Sequence, residues 1–287
     1  MTLLKRKYKL KPDWIFSQSG NLWRFIFGGE NYIVGETRDL TKRIVYFFVI
    51  DILTGKNILK NFLFEDGNYW ISIEGASSDY IFLHRYDKPE LPYHKNIIAL
   101  NLKTGEKLWE NGDYIYLYNT EKNIYGIKQK FESFEIAELN LSDGKLKNRI
   151  PESGHSEIYK LRENNEELQL EFSNYPVKYV QTHNEDISEI INKESANLEI
   201  KGDIEYILKD RYLIFNYYVN AGIDFKDLNR RFFENRLRIF DVNTGELLYS
   251  DIMNEKSTYN VPDNFFIRKN FLFYLREKKE IVSITLK

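Results

Sequence analysis

From Leu22 onward, apolar and polar side chains alternate in short runs, broken by glycine, asparagine, aspartate or serine. A period of two marks a half-buried β-strand, because successive side chains point to opposite faces. Strands are predicted over 22–27, 32–36, 44–51 and 58–64, and again over 69–73, 80–85, 96–101 and 107–109. A third set covers 114–118, 124–127, 134–139 and 146–150, and a last set covers 265–267, 271–275 and 281–286. The stretch 204–251 reads as a further set whose third strand, 237–240, is delayed by an insertion. Residues 156–200 are the most polar and least regular, with a weak helical pattern at Ile187, Ile190 and Ile191.

The breaks themselves repeat. Asp51-Ile-Leu-Thr54-Gly55, Asn101-Leu-Lys-Thr104-Gly105, Asn140-Leu-Ser-Asp143-Gly144 and Asp241-Val-Asn-Thr244-Gly245 share one form. Asn192-Lys-Glu-Ser195-Ala196 fits the same frame with alanine in place of glycine. In such a turn the Asp or Asn side chain folds back onto following amides, and glycine takes the positive φ that reverses the chain. Positions 55, 105, 144, 196 and 245 recur about every 48 residues, near the length of a four-stranded propeller blade.

The expected fold is all-β: a single β-propeller of four-stranded antiparallel blades, about six in number, with five or seven as alternatives. The blades are placed at about 22–64, 67–110, 113–150, 156–200, 203–251 and 257–287. The last has only three strands, and sheets avoid an unpaired edge. Residues 1–21 hold strand-like stretches at 7–10 and 14–16 but no blade of their own. They are expected to pair with the C-terminal strands and close the ring.

Composition narrows the function. With 21 Tyr, 20 Phe and 4 Trp the chain is 16% aromatic, which suits strands. It has no cysteine, so thiolate nucleophiles, cysteine-ligated zinc, iron–sulfur clusters and disulfides are excluded. With 41 Lys+Arg against 43 Asp+Glu it lacks the basic excess of a general nucleic-acid binder, so no nucleic-acid partner is expected. No apolar run follows the basic N-terminus as a secretory signal requires, and no stretch approaches the roughly 18 apolar residues of a membrane span. A cytoplasmic protein without membrane contact is expected. Phosphate-loop, nucleophile-elbow and calcium-loop patterns are absent from the sequence.

The turn running from Asn101 through Thr104-Gly105-Glu106 to Trp109 resembles the repeat of WD40-like and pyrroloquinoline-quinone-type propellers. That resemblance implies an architecture and no activity. Trp23-Arg24, Gly35-Glu36-Thr37-Arg38-Asp39 and Asp51-x-x-Thr54-Gly55 are also similar to a bacterial propeller-like family of unknown function. Quinone-dependent dehydrogenases present a vicinal cysteine pair and a calcium site. This chain has no cysteine and no calcium pattern, so no cofactor is expected.

In a propeller, loops joining second and third strands gather on one face with the inter-blade links, where ligands usually sit. Here those loops are 37–43, 85–95, 128–132, 174–176 and 221–235. Glu36, Arg38, Asp39 and Arg43 cluster at the first. Its guanidinium pair could grip a carboxylate or phosphate, or Arg and Asp could brace buried backbone at the blade junction. The second loop holds His84, Arg85, Asp87, Tyr93 and His94, a set suited to acid–base or metal chemistry. The interval from His84 to His94 matches no standard ligand motif, and Pro89 and Pro92 suit an ordinary turn, so no metal is expected. His155 and His183 stand alone, as surface or packing residues.

The insertion 221–235 places Phe225, Leu228 and Phe232 at helical spacing behind a possible Asp224 cap, either a lid helix or an excursion packed on the blade below. Trp23, Tyr69, Trp70, Tyr114 and Tyr116 lie near the starts of inner strands, as stacking platforms or as blade-to-blade core. The leading expectation is a non-catalytic propeller scaffold that binds a protein or peptide through its loop-rich face. The alternative is a hydrolase or lyase acting on a carbohydrate-like polar substrate through Arg38, Asp39, His84, Arg85 and His94. A structural subunit that docks through a blade edge is the third. The sequence leaves the oligomeric state open.

Overall fold

A computed structural model describes residues 9–88, 91–181, 185–224, 227–259 and 264–287. The chain begins with a short strand, β1 (Trp14–Ser17). The first full sheet then follows as β2 (Asn21–Gly28), β3 (Tyr32–Asp39), β4 (Ile44–Asp51) and β5 (Asn57–Phe62). The second contains β6 (Ile71–Ala76), β7 (Tyr80–Lys88), β8 (Leu91–Asn101) and β9 (Lys107–Asn111). The third contains β10 (Ile115–Asn119), β11 (Ile124–Gln129), β12 (Phe134–Leu139) and β13 (Leu146–Ile150). Strands pair antiparallel in chain order within each sheet.

Helix α1 (Glu152–Glu171) is followed by the two-residue strands β14 (Ser173–Asn174) and β15 (Val177–Lys178), and then by helix α2 (Glu185–Ser195). The fourth sheet adds β16 (Glu205–Lys209), β17 (Tyr212–Asp224), β18 (Asp227–Asp241) and β19 (Glu246–Ser257) to β15. The fifth has the order β14, β20 (Phe265–Arg268), β21 (Phe271–Arg276), β22 (Glu280–Thr285) and β1. The fold is thus all-β and of the propeller type, with antiparallel four-stranded blades. Contacts divide it into two compact units, Ser17–Gln169 and the remainder.

The N-terminal strand completes the last sheet, as the missing edge strand required. The Asp13 amide donates to Ser283 O at 2.9 Å, and its carboxylate accepts from the Thr285 amide. Phe16 is buried, and the Trp14 ring lies 5.9 Å from Phe273.

The described residues form five sheets, the lower of the counts the sequence allowed, and 156–200 is largely the two helices rather than a blade. That stretch lacks strand alternation, and its turn has Ala196 where the others have a left-handed glycine. Glycines 55, 105, 144 and 245 have φ of 67°, 75°, 67° and 64°. Of the two readings of 221–235, the lid helix does not form among the described residues. β17 and β18 continue as a long hairpin, with ladder pairing from Tyr212↔Asp241 out to Ile223↔Arg231. Interstrand pairing outweighs the local three-residue spacing there, and Phe225 lies outside the described residues.

Packing follows the strand period. In β7, Ile81 and Leu83 join Val34, Phe47 and Val49 of the first sheet, whereas Phe82 joins Trp109, Tyr114 and Ile124 toward the third. In each unit a helix covers one sheet face. Ile158 of α1 packs with Tyr118, Tyr125 and Ile136, and Ile187, Ile190 and Ile191 of α2 pack on Leu213, Phe215 and Tyr217. The weak isoleucine pattern was therefore a true helix signal.

The turn glycines have a second task. A Cβ on Gly105 would lie 2.7 Å from Phe62 of the preceding sheet, and one on Gly144 would lie 2.3 Å from Trp109. The outer strand of one blade thus seats an aromatic ring on the turn of the next. This explains the tryptophan that follows the second turn.

Candidate functional site

Glu36 and Arg38 sit two residues apart on β3, so they share a face. Both are buried. Arg38 donates from Nε and Nη2 to Glu36 Oε1 at 3.1 and 2.9 Å, and from Nη1 and Nη2 to the carbonyls of Tyr69 and Ile71. Glu36 also accepts from Ser72 Oγ at 2.8 and 2.9 Å and from the Ile73 amide at 3.0 Å. The pair therefore forms the junction brace between the first and second sheets. Its acidic partner is Glu36 and not Asp39, which corrects the expected Arg–Asp form. Asp39 instead closes its own turn by accepting the amides of Thr41 and Lys42 at 3.0 and 2.9 Å.

An aromatic ladder runs outward from this brace. The Arg38 guanidinium lies 5.2 Å from the Trp23 ring and 5.0 Å from Tyr69. Arg43 stands 5.7 Å from Tyr69 and 5.2 Å from Trp70. Trp70 meets Tyr86 edge-on at 6.2 Å, and Tyr86 contacts His84 at 4.8 Å and His94 at 5.5 Å. The structure thus connects Glu36, Arg38, Arg43, His84 and His94 into one neighbourhood. Arg85 lies outside this ladder: it bonds Glu65 at 2.5 Å through two nitrogens and Glu110 at 3.1 Å. Burial opposes ionisation of Glu110, but hydrogen bonds from Arg85 and Asn96 outweigh it and bring its pKa down to about 2.

The histidines acquire a partner not evident along the chain, Glu74 on β6. Its Oε1 lies 3.0 Å from His84 Nδ1 and 2.5 Å from His94 Nδ1, and the two rings stack 3.5 Å apart at 10°. Two irregularities frame the trio. The β6–β7 register shifts between Ile73 and Gly75, at Glu74, and the β7–β8 register shifts between Leu83 and Arg85, at His84. Bulges of this kind re-aim side chains. A carboxylate beside a glycine in the apolar run Ile71-Ser-Ile-Glu74-Gly75 was the available signal. Burial works against ionisation of Glu74, yet both histidines hold its carboxyl below the usual value.

The other expected platforms are core. Tyr114 and Tyr116 pack between the second and third sheets, and burial with the nearby Glu74 charge pushes the Tyr116 phenol upward. The Tyr116 hydroxyl would lie 2.1 Å from a Cβ on Gly75. His155 stacks on Phe134 at 5.1 Å, a packing role, and His183 lies outside the described residues. A polar depression of about 980 Å³ on the second and third sheets carries Lys128, Lys130, Lys145 and Arg149, but Asp113, Glu135 and Asp143 pair with all four cations.

At the loop-bearing ends of the first three sheets, large apolar side chains are exposed. Leu40 is 55% exposed and Phe131 99%, each in the turn from the second strand of its sheet to the third, and Tyr93, 65% exposed, lies near the start of the third strand of the second sheet. Trp23, at 57%, is exposed on β2, where it faces the Arg38 guanidinium.

A family model described as a domain of unknown function, DUF4905, matches residues 28–109. A search of the curated proteins returns no match. Similar solved structures include a eukaryotic initiation factor, at 10% identity and TM-score 0.33, covering 88% of this chain and 48% of that one. This chain thus spans about half the length of that structure. The uncharacterized protein lmo1340 from Listeria monocytogenes EGD-e matches at 11% identity and TM-score 0.33, covering 94% of this chain and 95% of the other. BamB from Moraxella catarrhalis matches at 10% identity and TM-score 0.25, with 97% and 98% coverage. No helix among the described residues is long and apolar enough to cross a membrane.

Proposed function

We propose that this protein is a non-catalytic scaffold that binds a protein or peptide through the loop-bearing ends of its first three sheets. The observation that supports this reading is the exposure of Leu40, Tyr93 and Phe131 at the same end of three consecutive sheets, with Trp23 exposed on β2. Single exposed apolar residues are ordinary, but a row of them rimmed by polar groups suits a docking surface. Aromatic and arginine side chains are also the types that anchor interfaces. The hydrolase or lyase alternative is less well supported. Arg38 is saturated by Glu36 and two carbonyls, Arg85 by two carboxylates, and Asp39 by its own turn.

Affinity capture from native lysate tests the proposal. The wild-type chain should retain a protein partner that the triple variant Leu40→Ser, Tyr93→Ser, Phe131→Ser loses, with affinity at least about 30-fold weaker. Leu53→Ser, at the opposite end of the first sheet, should leave capture intact. Undiminished capture by the triple variant would refute the proposed face.

A further inference from the structure

We propose that Glu74, His84 and His94 form a binding site for a borderline divalent transition-metal ion of the Zn²⁺ type, with a coordination position open toward solvent. This site is independent of the partner-binding reading. It is built from three adjacent strands of one sheet: Glu74 on β6, His84 on β7 and His94 on β8. One ligand atom from each residue lies within 4.8 Å of the others. Bonds of about 2.0–2.2 Å around a tetrahedral Zn²⁺ separate its ligand atoms by roughly 3.3 Å, so the ligand atoms are close enough, and the stacked imidazoles, 3.5 Å apart at 10°, would rotate out of their stack to seat the ion.

A second observation points to a ligand independently of the clustering. His84 is 1% exposed, yet neither of its ring nitrogens makes a hydrogen bond. Nδ1 lies 3.0 Å from Glu74 Oε1, within ion-pair reach, but it is not oriented for a hydrogen bond. A buried polar atom without a partner pays its desolvation in full. A metal ion between the carboxylate and the rings would satisfy His84 and use the lone pair of each neutral imidazole.

The donor set selects the ion. Two nitrogens and one carboxylate oxygen suit Zn²⁺ and its transition-metal neighbours, whereas Ca²⁺ and Mg²⁺ prefer oxygen cages. The surroundings provide rigidity and access. Both bulges lie within paired strands, and the Tyr116 hydroxyl, hydrogen-bonded to Asn119 at 2.6 Å, closes over Gly75. Strand-borne ligands hold position better than loop-borne ones. His94 retains 32% side-chain exposure, against 12% for Glu74 and 2% for His84, so entry and the open position lie on its side. The absence of a helical ligand spacing in the sequence does not count against such a site, because a hairpin and its neighbour bring the three residues together across the sheet.

The test is titration of the full chain, stripped with chelator, using Zn²⁺ by calorimetry and Co²⁺ by visible absorption. One equivalent of Zn²⁺ should bind saturably, and Co²⁺ should show the intense bands of a four- or five-coordinate site. His94→Asn and Glu74→Gln should each weaken Zn²⁺ binding about 100-fold or more while circular dichroism stays unchanged. His94 is on the open side, so its replacement leaves the buried core intact, and Glu74→Gln keeps side-chain size. Ca²⁺ or Mg²⁺ at about 1,000-fold excess should not compete. No saturable Zn²⁺ binding, binding undiminished in both variants, or displacement by Ca²⁺ would each overturn the assignment.

Discussion

Glu36→Gln is expected to destabilise the protein by about 3–5 kcal/mol, read as a lower urea midpoint with a largely preserved slope. The cause is the charge left behind. Arg38 is as buried as its partner, and two of its donor atoms bond Glu36 Oε1. With a neutral amide opposite it, the guanidinium would remain out of water without a countercharge, held only by carbonyl oxygens and the Trp23 and Tyr69 rings. Glu36 also accepts from Ser72 and Ile73, so the substitution loosens the hold of the first sheet on the second. Combining Glu36→Leu with Arg38→Met should cost less than the single charge removal, since neither charge then stays buried alone. A loss below about 1 kcal/mol for Glu36→Gln would show that the pair is not the brace described.

Trp109→Ala carries the second large expected effect, also about 3–5 kcal/mol. This ring fills the space over the Gly144 turn, donates from Nε1 to Leu141 O at 2.6 Å, and meets Phe82 at 6.2 Å. Its removal leaves a cavity between the second and third sheets and an unpaired carbonyl. The turn side of the contact gives an internal comparison. Gly144→Ala introduces both a left-handed residue and a collision with the ring, whereas Gly245→Ala meets nothing within 4 Å and carries only the φ strain. Thermal unfolding should rank Gly144→Ala as the more damaging of the two. Equal losses would mean that the aromatic seat contributes nothing.

Much of this architecture was readable along the chain. The first three sheets announced themselves through strict alternation and through turns in which Asp or Asn precedes a left-handed glycine. The edge strand supplied by Trp14–Ser17 could be anticipated because the C-terminal set lacked a fourth strand. The count of sheets stayed open between five and seven, because 156–200 keeps the spacing of a blade while lacking its alternation and its turn glycine. In the 221–235 stretch, a local three-residue spacing competed with a ladder that only the partner strand reveals.

The site was partly readable. Arg38, Arg43, His84 and His94 stood out by residue type, and the structure joins them through Tyr69, Trp70 and Tyr86. Whether Arg38 faced a ligand or a brace depended on Glu36, Ser72 and two carbonyls, of which only Glu36 is near in sequence. Glu74 escaped notice because a register shift, invisible in one strand alone, brings it to the histidines.

Hydrogen exchange, resolved along the intact chain, tests the architecture on which every site here depends. Trp14–Ser17 and Glu280–Thr285 should be protected together and open together, as two strands of one sheet. Helical protection should run through Glu185–Ser195. Free exchange at Trp14–Ser17 while Glu280–Thr285 stays protected would contradict that architecture.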